Sequence, residues 1–161
     1  MGEQTVQLDD LDARLIALLA EEPRIGVLEL SRRLAVARGT VQARLDKLIA
    51  RGAIKGFGPE VVPAAIGFGV TSFVTLEIRQ RYGHDAVAEH LAEIPEVLEA
   101  HTITGSGDIL CRIVARANAD LQRVIDQIVG YEGILRAHTI IALAELIPYR
   151  TVPLVHSANR R

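Results

Sequence analysis

Glu29–Gly52, ELSRRLAVARGTVQARLDKLIARG, carries two short apolar stripes separated by a three-residue break. Leu28, Leu30 and Leu34 mark one helix over about residues 28–34. Val41, Leu45 and Leu48, at i, i+4 and i+7, mark a second over 38–51. Gly52 sits just past that stripe, where a left-handed cap is wanted. Upstream, Leu8, Leu11, Leu15, Leu18 and Leu19 form a third stripe that Pro23 stops. Asp9, Asp10 and Asp12 fall in its first turn, where the helix end favours negative charge. Three short helices with a three-residue turn between the last two describe a helix-turn-helix.

Charge is segregated around this module. Residues 24–55 hold eight basic side chains (Arg24, Arg32, Arg33, Arg38, Arg44, Lys47, Arg51, Lys55) against Glu29 and Asp46. That segment is +6 in a chain of net −2, so the remainder is −8 and the asymmetry suggests a basic module on an acidic one. On the second helix the outward positions are Gly39, Thr40, Gln42, Ala43, Asp46 and Lys47. Gln42 can pair bidentately with adenine, and Thr40 and Ala43 can meet a thymine methyl. Gly39 lets the helix start approach the groove, while Arg38, Lys47 and Arg51 are placed for phosphates. Arg44 lies about 60° off the buried stripe, so it reaches either a phosphate or Asp12 internally. Ala37 precedes the helix where a capping side chain is preferred, a loss on the order of 1 kcal/mol.

Residues 53–67, AIKGFGPEVVPAAIG, are too rich in Gly and Pro for helix and read as a short hairpin or an extended connector. From Phe68 the period changes. Strands are expected at 68–78, 97–104, 109–115 and 134–147, with helices at 85–94 and around 121–129. Val97–Ile103, VLEAHTI, recurs as Ile134–Ile140, ILRAHTI, with five identities in seven at a spacing of 37. Both copies follow an expected helix and open a strand, so the order is two strand-helix-strand halves, a ferredoxin-like βαββαβ sandwich. The fold class is α+β: a three-helix, winged-helix-like helix-turn-helix domain at 1–55, a linker at 56–67, the sandwich at 68–149 and a tail at 150–161. The sheet face away from the helices offers apolar and small polar side chains without charges, which predicts a dimer.

LDDLDARLIALLAEEPRI, ELSRRLAVARGTVQARLDKLIARGAIKGF, HTITGSGDILCRI and GILRAHTIIAL together resemble the Lrp/AsnC (leucine-responsive, feast/famine) family, in the same order and spacing from about Leu8 to Ile147. The resemblance implies a DNA-binding regulator of transcription that pairs a helix-turn-helix with a domain for effector binding and oligomerisation. It also implies dimers, often four in a ring, hence an octamer, and an amino-acid effector. It places Arg38, Thr40, Val41 and Arg44 on the recognition helix and Gly52, Ile54 and Gly56 on its exit. Ala35 stands where the family often has Gly, and Ala37 where it often has Ser. The implied effector site is a cleft between dimers, built from Thr104, Gly105, Ser106, Gly107 and Asp108 and from Thr139, Ile140, Ile141 and Ala142. Gly-rich turn amides can hold a carboxylate, and Asp108 an ammonium. Ser106-Gly107 departs from the GDYD- or GDFD-like turn, which leaves the effector's side chain open.

Other function classes fare worse. Aromatics are 4% with no Trp, against stacking platforms for single strands. One cysteine, Cys111, gives no disulfide framework; it reads as a buried strand residue, with a thiol sensor as the alternative. His101 and His138 sit on equivalent strands at opposite edges, roughly 14 Å apart. His84, His90 and His156 lack ligand spacing. No metal, cofactor or catalytic residue is therefore expected. The acidic start, MGEQTVQLDD, reads as neither a secretory signal nor a myristoylation site, and no apolar run approaches about 20 residues, which predicts a cytoplasmic protein with no membrane partner. Two alternatives share the architecture: a nucleoid-architectural DNA binder without effector, and an enzyme similar to sirohaem decarboxylases.

Overall fold

A computed structural model describes residues 6–158. Helix α1 spans Asp10–Glu21, α2 Val27–Leu34 and α3 Arg38–Ala50. α1 starts on a reciprocal cap: Asp9 accepts the Asp12 N–H at 2.9 Å, and the Asp12 carboxylate accepts the Asp9 N–H at 3.3 Å. Two donors that have no helical partner are thereby satisfied. Leu15, Leu30, Val41 and Leu48 are almost wholly buried where the three helices meet, with Leu19, Leu34 and Leu45 around them. Burying each such leucine stabilises by about 2 kcal/mol.

The turn between α2 and α3 is formed without the residues that favour it most. Ala35 has φ +55°, and the Ala35 and Val36 N–H groups close onto the Arg32 and Ser31 carbonyls. A Cβ in that left-handed conformation crowds the following carbonyl. Ala37 is the N-cap of α3 and supplies no side-chain bond. Ala35→Gly is expected to raise stability by about 0.5–1 kcal/mol, and Ala37→Ser by about 1 kcal/mol. Both are read from denaturant midpoints of the full chain; a fall in the first variant would contradict the positive φ.

The second unit contains β1 (Val70–Ile78), α4 (Gly83–Ala92), β2 (Val97–Thr102), β3 (Ile109–Ala115), α5 (Asn118–Val129) and β4 (Ile134–Ala142). Its sheet has the order β2-β3-β1-β4 with every pair antiparallel. Val74, Leu76, Cys111 and Ile113 of the sheet pack on Val87 and Leu91 of α4 and on Val124 and Ile128 of α5. This is the βαββαβ sandwich, with the two copies of the repeat on its two edges. His101, Leu110, Thr75 and His138 form one row across the four strands, which sets the histidines three spacings apart.

Three features differ from the sequence reading. β4 ends at Ala142 rather than Ile147, because Ala142 already pairs with Thr71 and β1 begins at Val70, leaving residues 143–147 no strand to bond. The open sheet face is not free of charge: alternation and register place Glu77, Glu99, Arg112 and Arg136 on it beside Phe73, Leu110 and Ile140. Among the described residues the Arg112 Nε is buried there without a hydrogen-bond partner. The segment after Tyr149, whose sequence pattern offers no reading, forms α6 (Val152–Ala158), which packs on α1 with Val152 and Val155 half-buried. Accordingly one compact unit runs to Pro59 and resumes at Ile147, and the other is Glu60–Leu146. Among the described residues no strand forms between α3 and β1; the chain there is a connector ending in a 3-10 turn at Pro63–Ile66. No described helix is long and apolar enough to cross a membrane.

Candidate DNA-reading helix and effector turn

Helix α3 keeps Val41, Leu45 and Leu48 inward and exposes Arg38, Gly39, Thr40, Gln42, Ala43 and Lys47, with Arg51 exposed just past its end. Among the described residues Arg38, Lys47 and Arg51 take part in no ion pair, so their charge is available to phosphates. Arg32 and Arg33 of the basic segment are instead committed locally. Arg33 holds Glu22 at 2.6 and 3.1 Å and Glu29 at 3.3 Å, and Arg32 lies 3.6 Å from Glu29.

Arg44, open in sequence between a phosphate and Asp12, is engaged inside its own unit. Its Nη1 bonds the Asp9 carboxylate closely and donates to Asp12 Oδ1 at 3.1 Å. The Asp12 side chain is only 5% exposed, so a cation is needed against it, which favours the internal alternative. The Asp12 N–H first, and the Arg44 guanidinium second, hold the Asp9 carboxyl below its usual range. What the sequence analysis missed is Asp9 as the cap of α1 and as a partner of Arg44, although its spacing from Asp12 is that of a reciprocal cap. A second contact lies on the exposed face, where Gln42 Nε2 donates to Asp46 Oδ1 at 2.8 Å.

The Gly105–Asp108 turn is fixed by β1. The Asp108 N–H donates to the Leu76 carbonyl at 2.8 Å, and Asp108 Oδ2 accepts the Ile78 N–H at 2.8 Å. One carboxylate oxygen is therefore engaged by the chain itself. The Gly107 N–H donates to Gly105 O and the Ile103 N–H to Asp108 O, whereas the N–H groups of Thr104, Gly105 and Ser106 bond nothing among the described residues. The other half of the expected site is elsewhere. Thr139–Ala142 pairs with Thr71–Val74, while the turn meets β1 at Leu76 and Ile78. Ile141, opposite Ser72, is thus displaced by about 13 Å along the strand from the level of Leu76. Thr139, opposite Val74, is displaced by only about 7 Å, so within one chain it is the Ile141 end of the stretch that lies away from the turn.

Models for the AsnC-type helix-turn-helix domain and the Lrp/AsnC ligand binding domain match residues 8–49 and 71–152. This chain belongs to the Lrp/AsnC family. Among relatives of this Lrp/AsnC regulator, the HTH-type transcriptional regulator FL11 of Pyrococcus furiosus is 29% identical over 136 residues, covering 84% of this chain and 89% of that protein. Among solved structures, AsnC of Escherichia coli superposes with a TM-score of 0.85 at 26% identity, covering 92% of this chain and 100% of that one. A transcriptional regulator of Neisseria meningitidis, solved as its L-Met complex, gives 0.78 at 26% identity over 93% of this chain and 99% of that one. The Lrp/AsnC chain is a DNA-binding transcriptional regulator and not an enzyme, which sets aside the decarboxylase-like alternative.

Two of the remaining candidates in the Lrp/AsnC chain, Cys111 and His90, have structural settings. Cys111 is fully buried, and burial pushes its thiol up to about 11, which keeps it protonated and unreactive near neutrality. His90 stacks on Tyr131 at 4.9 Å and its Nε2 donates to the Gln127 and Ile128 carbonyls at the end of α5.

Proposed function

We propose that this regulator reads its operators sequence-specifically as a homodimer, with two α3 helices entering successive major-groove faces about one helical turn or a multiple apart. The observation that carries this is the exposed face of α3, where unpaired Arg38, Lys47 and Arg51 accompany Gly39, Thr40, Gln42 and Ala43. The cations supply affinity, and the small and polar side chains supply base choice. A small effector, an amino acid in class, modulates assembly or DNA affinity from a site shared between dimers, in a higher oligomer up to an octamer that acts in the cytoplasm. Two features support the shared site. The Thr104, Gly105 and Ser106 amides are free to hold a carboxylate, with Gly107 and Asp108 shaping the turn. Thr139, Ile140, Ile141 and Ala142 run away from the turn along the sheet, Ile141 by about 13 Å, which favours completion of the site by a second copy. The Neisseria relative's L-Met complex supports the effector class.

Fluorescence anisotropy of the full chain on its own upstream DNA, titrated with salt and competitor duplex, tests the reading. Tight binding that resists unrelated competitor and weakens steeply with salt is expected. An amino-acid panel added to the complex should then shift affinity or assembly through at least one member. Steep salt dependence without discrimination, and without any effector, would replace this reading by the architectural one.

A further inference from the structure

Asp46 is an acid on a surface otherwise arranged for phosphate. It is exposed on α3 one turn beyond Gln42, and Gln42 Nε2 donates to its Oδ1 at 2.8 Å. An acid there repels the DNA backbone, so it weakens binding to every sequence alike unless it does something specific. Its chemistry indicates what. An ionised carboxylate is acceptor-only, so the amide nitrogen of Gln42, and not its oxygen, must turn toward it. A glutamine amide is otherwise free to present either end. Held by Asp46, Gln42 offers Oε1 and its second N–H in one fixed order.

We propose that Asp46 is a positioning residue for base recognition: by fixing the Gln42 amide, it makes the pair select adenine and reject guanine at the base that Gln42 faces. Adenine presents N7 as acceptor and N6–H₂ as donor in the major groove, matching the remaining N–H and Oε1 of Gln42. Guanine presents N7 and O6, two acceptors, so O6 meets Gln42 Oε1 with no proton between them. The discrimination thus comes as much from the repulsive element as from the attractive one. This inference rests on α3 being the helix that enters the groove.

Selection from a randomised duplex pool by the full chain, at salt adjusted to equal fractional binding, reads the preference. Asp46→Ala is expected to raise affinity for unrelated duplex roughly twofold to fivefold at low salt. At one position per half-site it should lower the adenine-over-guanine preference by roughly threefold to tenfold, as loss of part of a bidentate contact does. Asp46→Asn should lose the preference similarly, since its amide offers both donor and acceptor to Gln42. Gln42→Ala should abolish the preference at the same position, and adding Asp46→Ala to it should change nothing further there. A change equal for all sequences in Asp46→Ala, with the base preference intact, overturns the proposal. Lys47→Ala separates that outcome from a failure of the underlying reading: if α3 faces DNA, it weakens binding, whereas an inert Lys47→Ala together with inert Asp46 variants means that α3 does not enter the groove.

Discussion

Arg44→Ala should destabilise the N-terminal unit and leave the salt dependence of DNA binding unchanged. The guanidinium is the cation shared by Asp9 and Asp12, and it ties the middle of α3 to the first turn of α1. Without it, the Asp12 carboxylate, 5% exposed, keeps only its 3.3 Å bond from the Asp9 N–H. A buried charge deprived of its partner is costly, and a fall in melting temperature of roughly 5–10 °C is expected for a unit of this size. The pH response should change with it. Asp9's carboxyl is depressed below 3.8 in the folded chain by the Asp12 N–H and then by Arg44. A depressed carboxyl adds stability above its unfolded value, and that stability is lost as pH falls through the folded value. The native chain should therefore weaken from about pH 4 downward, and Arg44→Ala should weaken less steeply because part of the depression is gone. For DNA, a phosphate contact contributes about 0.9 to the slope of log affinity against log salt. Lys47→Ala should lose that share and Arg44→Ala should not; a reduced slope in Arg44→Ala would return it to the DNA surface.

The same residue shows what the sequence makes legible. Helices and strands that bury one face announce it through period, so the three N-terminal helices and the order of the sandwich follow from Leu15, Leu30, Val41 and Leu48 and from the duplicated VLEAHTI segment. Arg44 lies between the buried and exposed faces, where period is silent, and its partners are 32 and 35 residues away. The end of β4 was hidden for a related reason. Residues 143–147 are as apolar as a strand, but a strand stops where its neighbour does, and that depends on Val70 rather than on Leu143. The charges on the open face were legible in part, because alternation from Phe73 and Thr75 reaches Glu77. Arg112, Glu99 and Arg136 needed the register of three pairings. The proposed effector site divides in the same way: its turn is local and readable, whereas the proposed contribution of Thr139–Ala142 from a second copy is not written in either local pattern.

Gly107→Ala should cost about 2–4 kcal/mol in the sandwich unit, through positive-φ strain and overpacking together. Gly107 has φ +123°, and a Cβ there would collide with Thr75 Cγ2 and stand 3.2 Å from the Leu76 carbonyl oxygen. The threonine methyl can rotate away, but the strand backbone cannot. Relief must come from the turn, which then moves off β1 and strains the Asp108 N–H bond to Leu76 and the Ile78 N–H bond to Asp108. Gly105 is the internal control. Its φ is +117°, yet a Cβ there meets nothing within 4 Å, so Gly105→Ala should show the strain alone, about 1–2 kcal/mol. Urea unfolding of both variants gives the comparison; equal costs would mean that the close approach to β1 does not fix the turn. Function should separate them as well. If the Thr104–Ser106 amides hold an effector carboxylate, displacing the turn in Gly107→Ala should weaken the effector response at least tenfold, the scale of about 1.4 kcal/mol in binding. Effector-free DNA affinity should remain, because α3 belongs to the other unit. A Gly107→Ala chain that folds, binds DNA and keeps its full effector response would remove the turn from the site.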